Sequence, residues 1–227
     1  MTAVTPATSL AANVAAVRAR IAAACERSGR DPAGVRLIAV SKTMPADAIA
    51  AAINAGVTDI GENYVQEAAA KRTVLGRAAA GAVWHLIGHL QSNKVAASIE
   101  AFDVIHTVDS LRLAQAIDRR AAHSVPVTLE VNVAAEATKF GFAPDEVAAT
   151  VAAVSNLGRI DLRGLMTVAP AAEPSVVRSV FRNLRQLARA NGLSDLSMGM
   201  SGDFEVAIEE GSTMVRIGRA IFGERLP

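Results

Sequence analysis

The chain has 227 residues, of which 51% are apolar, and its 23 basic and 22 acidic side chains leave a net charge of +1. That balance excludes a global field that would favour nucleic acid or an anionic membrane surface. A single cysteine, Cys25, excludes an internal disulfide and favours a reducing compartment. Since the sequence has neither a run of 18 apolar residues nor a signal-peptide pattern, we expect a cytoplasmic protein.

An amphipathic helix is predicted over residues 10–28, with Ser9 as its N-terminal cap and Gly29 at its end. After this helix, short strand-like runs alternate with alanine-rich helical stretches. The predicted strands are 35–40, 57–60, 83–87, 103–107, 126–133, 159–166, 195–198 and 213–217. The predicted helices between and after them are 45–55, 63–79, 91–98, 109–122, 144–156, 173–191, 203–210 and 219–223.

Strands that alternate with helices predict a parallel sheet with right-handed crossovers. Eight such units favour a single (β/α)8 TIM barrel over residues 1–227, with residues 1–33 as an N-terminal helical extension. A doubly wound open sheet is the alternative. In a barrel the active face lies at the carboxyl ends of the strands, so each residue that directly follows a strand is a candidate for function.

One lysine directly follows the first predicted strand. The stretch RLIAVSKTMP runs from apolar residues into Lys42, and Pro45 then suits the start of the next helix. A partly buried lysine at this rim can act as a Schiff-base nucleophile. From position alone, the alternative is a solvated lysine in a surface loop, and both interpretations stay open.

Small residues follow the last two predicted strands. Gly199, Ser201 and Gly202 form a turn after the seventh strand, and Gly218 opens a short helix after the eighth. Free backbone N–H groups at helix starts bind anions, and barrels often bind a phosphate with these two loops. The sequence therefore favours a phosphate site, although the glycines could serve only to turn the chain.

Charged residues near these loops bear on the prediction of a phosphate site. Arg216 lies in the eighth strand, and an inward-facing arginine there would be buried and would need a partner. A structural ion pair with Glu130 or Glu62 is one alternative. Asp203 and Glu205 would weaken a phosphate site unless their side chains point outward.

Other site types find little support. His85 and His89 have a spacing that could suit a metal, but they flank the end of a strand and no third ligand is near, so we expect no metal. The sequence contains no GxSxG elbow, no GxxxxGK[ST] loop and no GxGxxG motif after a strand.

A lysine at the first strand and a phosphate site at the last two together suggest pyridoxal phosphate (PLP). The blocks AVSKTMP, IGENYVQEA, WHLIGHLQSNK, EVNVAAEATKFGF, GLMTVAP and SMGMSGDFEVAIEEGSTMVRIGRAIFGER occur in this order over nearly the whole chain. Together they resemble the pyridoxal phosphate homeostasis protein family, whose members are stand-alone barrels similar to the N-terminal domain of alanine racemase.

The resemblance implies roles for individual residues. Lys42 would hold PLP covalently as an aldimine. Ser201, Gly218 and the backbone of Arg219 would bind the phosphate, and Arg216 would face the pyridine ring. Three further residues are expected near the cofactor: Asn63, His85 and Met198. The sequence departs from the family pattern at Ile60, where an aromatic residue is expected, and at Arg219, where a small or hydroxyl residue is common.

The chemistry of Arg216 argues against robust catalysis. An arginine cannot accept the proton that makes the pyridine ring a strong electron sink. A racemase also needs a second base, which a tyrosine of an additional β-domain supplies in alanine racemases. This chain ends at Pro227, and its only tyrosine is Tyr64.

The sequence therefore predicts a PLP carrier in intracellular vitamin B6 homeostasis. A PLP-dependent amino-acid racemase or related PLP enzyme, with Tyr64 or a histidine as its second base, is the first alternative. A phosphosugar barrel enzyme that uses Lys42 on a ketone is the second. PLP is the expected ligand, and PLP-dependent apoenzymes or PLP-synthesising enzymes are candidate protein partners. We expect a monomer, because no large apolar stripe remains once the barrel helices are placed.

Overall fold

The structure, a computed structural model, describes residues 9–223. Its strands are β1 (Arg36–Val40), β2 (Asp59–Glu62), β3 (Val83–Leu86), β4 (Val104–Val108), β5 (Val125–Glu130), β6 (Ile160–Met166), β7 (Asp195–Ser197) and β8 (Met214–Ile217). Its helices are α1 (Leu10–Arg27), α2 (Ala46–Asn54), α3 (Val65–Leu75), α4 (Val95–Ala101), α5 (Leu111–Arg120), α6 (Val147–Val154), α7 (Pro174–Ala190), α8 (Phe204–Glu209) and α9 (Arg219–Phe222).

The strands form a closed parallel barrel in chain order, and β8 pairs with β1 to complete it. The prediction of a (β/α)8 barrel is therefore confirmed, and the alternative of an open doubly wound sheet is wrong. Each predicted strand and helix is present. Within residues 9–223, none of the helices is long and apolar enough to cross a bilayer.

Local side-chain chemistry moves some element ends from their predicted places. The fifth strand ends at Glu130 rather than at residue 133, because the Asn132 side chain bonds both backbone groups of Glu136 and starts a turn. The third predicted helix ends at Leu75, where Gly76 has a φ of +49° and begins a short 3-10 turn. Glycine adopts this left-handed conformation without the strain that a Cβ would bring.

The N-terminal helix α1 packs against the helices that follow the last two strands. The Ser9 side chain accepts a hydrogen bond from the backbone N–H of Ala12, which confirms it as the N-cap. Asn13 donates to the carbonyl of Ile221 in α9 at 2.9 Å, and Arg20 makes two hydrogen bonds to Glu205 in α8, each of 2.9 Å. The extension therefore supports the two elements that carry the predicted phosphate loops.

The barrel interior contains a group of polar side chains rather than only the branched apolar residues common in such barrels. These side chains, which come from five different strands, are Asp59, His85, His106, Ser197 and Arg216, and none is more than 6% exposed. Most of the apolar core lies instead between the strands and the surrounding helices. The interior polar group connects one end of the barrel with the other.

Candidate cofactor site

A cavity of about 830 Å³ opens at the carboxyl ends of the strands. Its walls come from the segments that follow β1, β2, β3, β6, β7 and β8. Six of the residues expected at the cofactor line it: Lys42, Asn63, Ser201, Arg216, Gly218 and Arg219. The sequence analysis did not identify residues 168–171 as part of this wall, although the block GLMTVAP pointed to the end of that strand.

A buried polar cluster fixes the backbone just before Lys42. The ammonium of Lys71 donates to the carbonyl of Ser41 at 2.8 Å and to Oε1 of Glu62 at 2.7 Å. The hydroxyl of Ser41 donates to the same Glu62 oxygen at 2.6 Å. Burial raises the pKa of Glu62, against the opposing effects of Lys71 and Ser41. Ser41 is thus held through both its main chain and its side chain.

The residue after Lys42 is held by the same cluster. The backbone N–H of Thr43 donates to Oε1 of Glu67 at 2.6 Å, and Lys71 donates to this oxygen at 2.7 Å. Thr43 has a φ of +66°, a left-handed conformation that costs a residue with a Cβ about 1–2 kcal/mol. Because both neighbours of Lys42 are anchored, its side chain leaves the backbone in a defined direction at the cavity wall.

The sequence analysis missed Lys71 and Glu67. They stand four residues apart on α3 and form an ion pair, a spacing that can be recognised in a sequence. Nothing in that spacing shows that the pair faces the loop after β1. That position follows from the parallel pairing of β1 with β2, which brings α3 beside the end of β1.

The loop after β7 depends on one glycine. Gly199 has a φ of +96°, and a Cβ there would lie 2.6 Å from the Cβ of Ala207 and 2.9 Å from the Cα of Phe204. The tight turn at Gly199 brings Ser201 to the start of α9, where its hydroxyl accepts a hydrogen bond from Ala220 N–H at 3.4 Å. The loops after β7 and β8 therefore meet at the cavity.

The two acidic residues near these loops differ in position. Glu205 pairs with Arg20 on the outer surface and so points away from the cavity. Asp203 lines the cavity, and its Oδ1 accepts a hydrogen bond from Met200 N–H at 2.6 Å. Burial raises the pKa of Asp203, which brings this carboxyl closer to its neutral form than an exposed aspartate.

Arg216 reaches the cavity from inside the barrel. Its Nη1 donates to the carbonyl and hydroxyl of Ser197 at 2.7 and 2.6 Å, and its Nη2 donates to the carbonyl of Thr167 at 2.9 Å. Within residues 9–223 it forms no ion pair with Glu130 or Glu62, so the alternative of a structural ion pair with either is wrong; Glu62 pairs with Lys71. Burial lowers the pKa of Arg216 to about 10, and the charge of Glu130 opposes this shift.

Three other residues from the sequence analysis do not line the cavity. His85 is fully buried inside the barrel, where it bonds Asp59 and His106. Met198 is also fully buried, and Tyr64 is 59% exposed at the start of α3.

The two histidines whose spacing could suit a metal, His85 and His89, lie in different environments. His85 faces the barrel interior, while His89 pairs with Asp109 at 3.1 Å and stacks on Phe140 with ring centroids 3.9 Å apart. Over the part of the chain that the structure describes, no group of three candidate metal ligands is found.

A closed barrel with a lysine after β1 and small-residue loops after β7 and β8 defines the class of alanine racemase N-terminal-domain barrels. The family model described as "Alanine racemase, N-terminal domain" matches residues 12–226.

Closer relatives narrow this class. The pyridoxal phosphate homeostasis protein of Pseudomonas aeruginosa is 46% identical over 222 residues, which cover 95% of this chain and 96% of the relative. Its counterpart in Escherichia coli is 47% identical over 228 residues, with 95% and 97% covered. The solved structure of PipY from Synechococcus elongatus with PLP bound has a TM-score of 0.82 and 36% identity, and covers 94% of this chain and 100% of PipY. This chain therefore belongs to the pyridoxal phosphate homeostasis protein family.

Proposed function

We propose that this chain binds PLP in the cavity at the carboxyl ends of its strands and serves as a PLP carrier in vitamin B6 homeostasis. The observation that carries the proposal is the meeting of three elements at one cavity: the anchored Lys42, the loops after β7 and β8, and the buried Arg216. The pyridoxal phosphate homeostasis proteins among the relatives, and the PLP bound to PipY, support the choice of ligand.

Lys42 holds the aldehyde end of the cofactor in this proposal. Its amine would bind the aldehyde carbon of PLP as a Schiff base, with loss of the aldehyde oxygen as water. The cluster of Ser41, Glu62 and Lys71 orients the lysine without touching the cofactor. This bond is reversible by hydrolysis, as a carrier requires.

The loops after β7 and β8 hold the phosphate end. The hydroxyl of Ser201 and the backbone at Gly218 and Arg219 lie on the cavity wall, where N–H donors suit a phosphate. A Cβ at Gly218 would lie 3.3 Å from the carbonyl oxygen of Val40, so the glycine lets this backbone approach closely. The exposed side chain of Arg219 adds a positive charge at the mouth of the cavity.

The chemistry of Arg216 favours a PLP carrier over a PLP-dependent enzyme. PLP supplies an electron sink in enzymes when its ring nitrogen is protonated. A guanidinium only donates hydrogen bonds, so Arg216 would leave that nitrogen unprotonated if it faces the ring as the family resemblance implies. Tyr64 is the tyrosine that a racemase mechanism would use as its second base, and its exposed position outside the cavity wall favours the carrier.

The test is a proton-exchange experiment with PLP-loaded protein and a panel of L-amino acids in deuterated water, followed by NMR. The carrier predicts no more loss of the α-proton signal than free PLP at the same concentration produces. Sustained exchange that scales with protein concentration and disappears in Tyr64→Phe would establish an enzyme instead. The ligand itself is tested by absorbance titration with PLP, in which Lys42→Ala should abolish the aldimine band and Lys94→Ala should retain it.

A further inference from the structure

A continuous chain of hydrogen bonds crosses the barrel interior. It starts at Arg216 in the cavity wall, whose Nη1 donates to Ser197 Oγ at 2.6 Å. Ser197 Oγ lies 2.8 Å from Nδ1 of His106, and Nε2 of His106 lies 2.9 Å from Nδ1 of His85. Nε2 of His85 lies 2.9 Å from Oδ1 of Asp59, near the opposite end of the barrel. We call the four residues Asp59, His85, His106 and Ser197 the interior relay.

The two ends of the chain fix its direction. Arg216 has only donors, so Ser197 Oγ accepts from it, and the hydroxyl hydrogen is available to His106. His106 stays neutral, because burial and the charges around it hold its pKa well below its usual range. It can then donate only from Nε2, so His85 in turn donates from Nε2 to Asp59.

Asp59 is suited to be the terminal acceptor. Burial by itself would raise its pKa, but hydrogen bonds from His85 and from the Thr58 hydroxyl, at 2.6 Å, outweigh that effect and the pKa is lowered. Arg36, with Nε 3.5 Å from Oδ1, adds a positive charge beside it. An ionised carboxylate can only accept, so every hydrogen bond of the chain points from Arg216 towards Asp59.

We propose that the interior relay is a positioning device: it orients the guanidinium of Arg216 and links it to a buried anion at the far end of the barrel. Hydrogen bonds that point in one direction polarise one another, so the anion acts on Arg216 although no carboxylate pairs with it directly among the described residues. The orientation of Arg216 follows from these hydrogen bonds alone. Only its effect on the pyridine ring rests on the proposed function.

The direct test is ¹⁵N NMR of the histidine side chains in cofactor-free protein near neutral pH. Both His85 and His106 should carry a proton on Nε2 and none on Nδ1, while the exposed His123 provides an internal reference ring outside the relay. A proton on Nδ1 of either interior histidine, or a charged ring, would overturn the proposed direction.

Variants at the two ends separate a relay from ordinary packing. Asp59→Leu removes the terminal acceptor, so both histidines should shift towards the Nδ1-protonated form, including His106, which does not touch residue 59. Ser197→Ala removes the hydroxyl at the other end, but Asp59 still accepts from His85, so both rings should keep the proton on Nε2. Ser212→Ala deletes another buried hydroxyl, which bonds the Met198 carbonyl at 2.7 Å, and should change neither ring.

The outcomes are distinguishable even if one variant folds poorly. Circular dichroism confirms which proteins are folded, and Asp59→Asn, which keeps the shape of the side chain but not its charge, decides the matter if Asp59→Leu is not. An unchanged His106 tautomer in a folded variant without the charge of Asp59 would contradict the relay. In PLP-loaded protein, Ser197→Ala should also weaken PLP binding by about tenfold, the effect of one hydrogen bond to a charged group. If neither the parent protein nor any variant binds PLP, but His85 and His106 are both protonated on Nε2, the proposed function is wrong and the relay is still supported.

Discussion

Replacing Lys71 with methionine tests whether the cluster around Lys42 holds the cofactor lysine in place. The ammonium of Lys71 is 9% exposed and makes three hydrogen bonds, two of them to carboxylates. Its removal leaves the fully buried Glu62 without a cation, and Oε2 of Glu62 already has no hydrogen-bond partner within residues 9–223. Breaking a buried ion pair from one side costs about 3–5 kcal/mol.

Partial exposure of Glu67, which is 24% accessible, lets water replace one of these bonds, so we take the lower end, about 3 kcal/mol. In a chain of this size that lowers the melting temperature by about 6–12 °C. The loss should shrink in mildly acidic solution, because burial raises the pKa of Glu62 and a protonated Glu62 needs no cation. PLP affinity should fall as well, since Ser41 loses its anchor.

The assay is urea unfolding followed by circular dichroism, together with PLP titration, for Lys71→Met and for Lys94→Met as the matched control. The double variant Lys71→Met with Glu62→Met should recover most of the lost stability, because an apolar pair can replace a buried ion pair. A free energy of unfolding for Lys71→Met within about 0.5 kcal/mol of the parent, with unchanged PLP affinity, would refute the reasoning.

Two further predictions concern a close backbone contact and a buried acid. A Cβ at Gly88 would lie 2.4 Å from the backbone oxygen of Asn63, which lines the cavity. Gly88→Ala should therefore displace Asn63, weaken PLP binding and lower the free energy of unfolding by about 1–3 kcal/mol. Gly34→Ala, with no atom within 4 Å, is the control in the same titrations, and equal results for both would contradict the prediction. Burial raises the pKa of Glu130 from 4.5 to about 7, so the folded state binds this proton more tightly than the unfolded state does. The free energy of unfolding should therefore fall as pH rises from 4.5 to about 7, by at most about 3 kcal/mol. Glu130→Gln should remove this part of the stability profile in urea unfolding at several pH values, and parallel profiles for the two proteins would speak against it.

The barrel and its cavity could be predicted from the sequence because they depend on local signals. Apolar runs that alternate with helical stretches give the order of the strands, and the closed barrel then fixes which strand ends are neighbours. Lys42, Ser201 and Gly218 each lie in the segment that follows a strand, so their meeting at one face needs only the fold.

The partners of Arg216 could not be predicted in this way. A carboxylate was one alternative for this partner, but side chains alternate along β2, so Asp59 faces the barrel interior while Glu62 faces α3. His85 was expected beside the cofactor and lies deeper, within the interior relay. Such contacts depend on the register between strands that are distant in sequence, and this register cannot be predicted from a local sequence pattern.

The central claim is that Lys42 holds the cofactor, and the most direct measurement is reduction of PLP-loaded protein with borohydride, followed by peptide mass spectrometry. The account predicts that the cofactor's mass is fixed to the peptide that contains Lys42, in the parent protein and in Lys94→Ala. Lys42→Ala should yield no such adduct at the site and no aldimine absorption band. A cofactor adduct on another lysine of the parent protein, or an unchanged band in Lys42→Ala, would contradict the account.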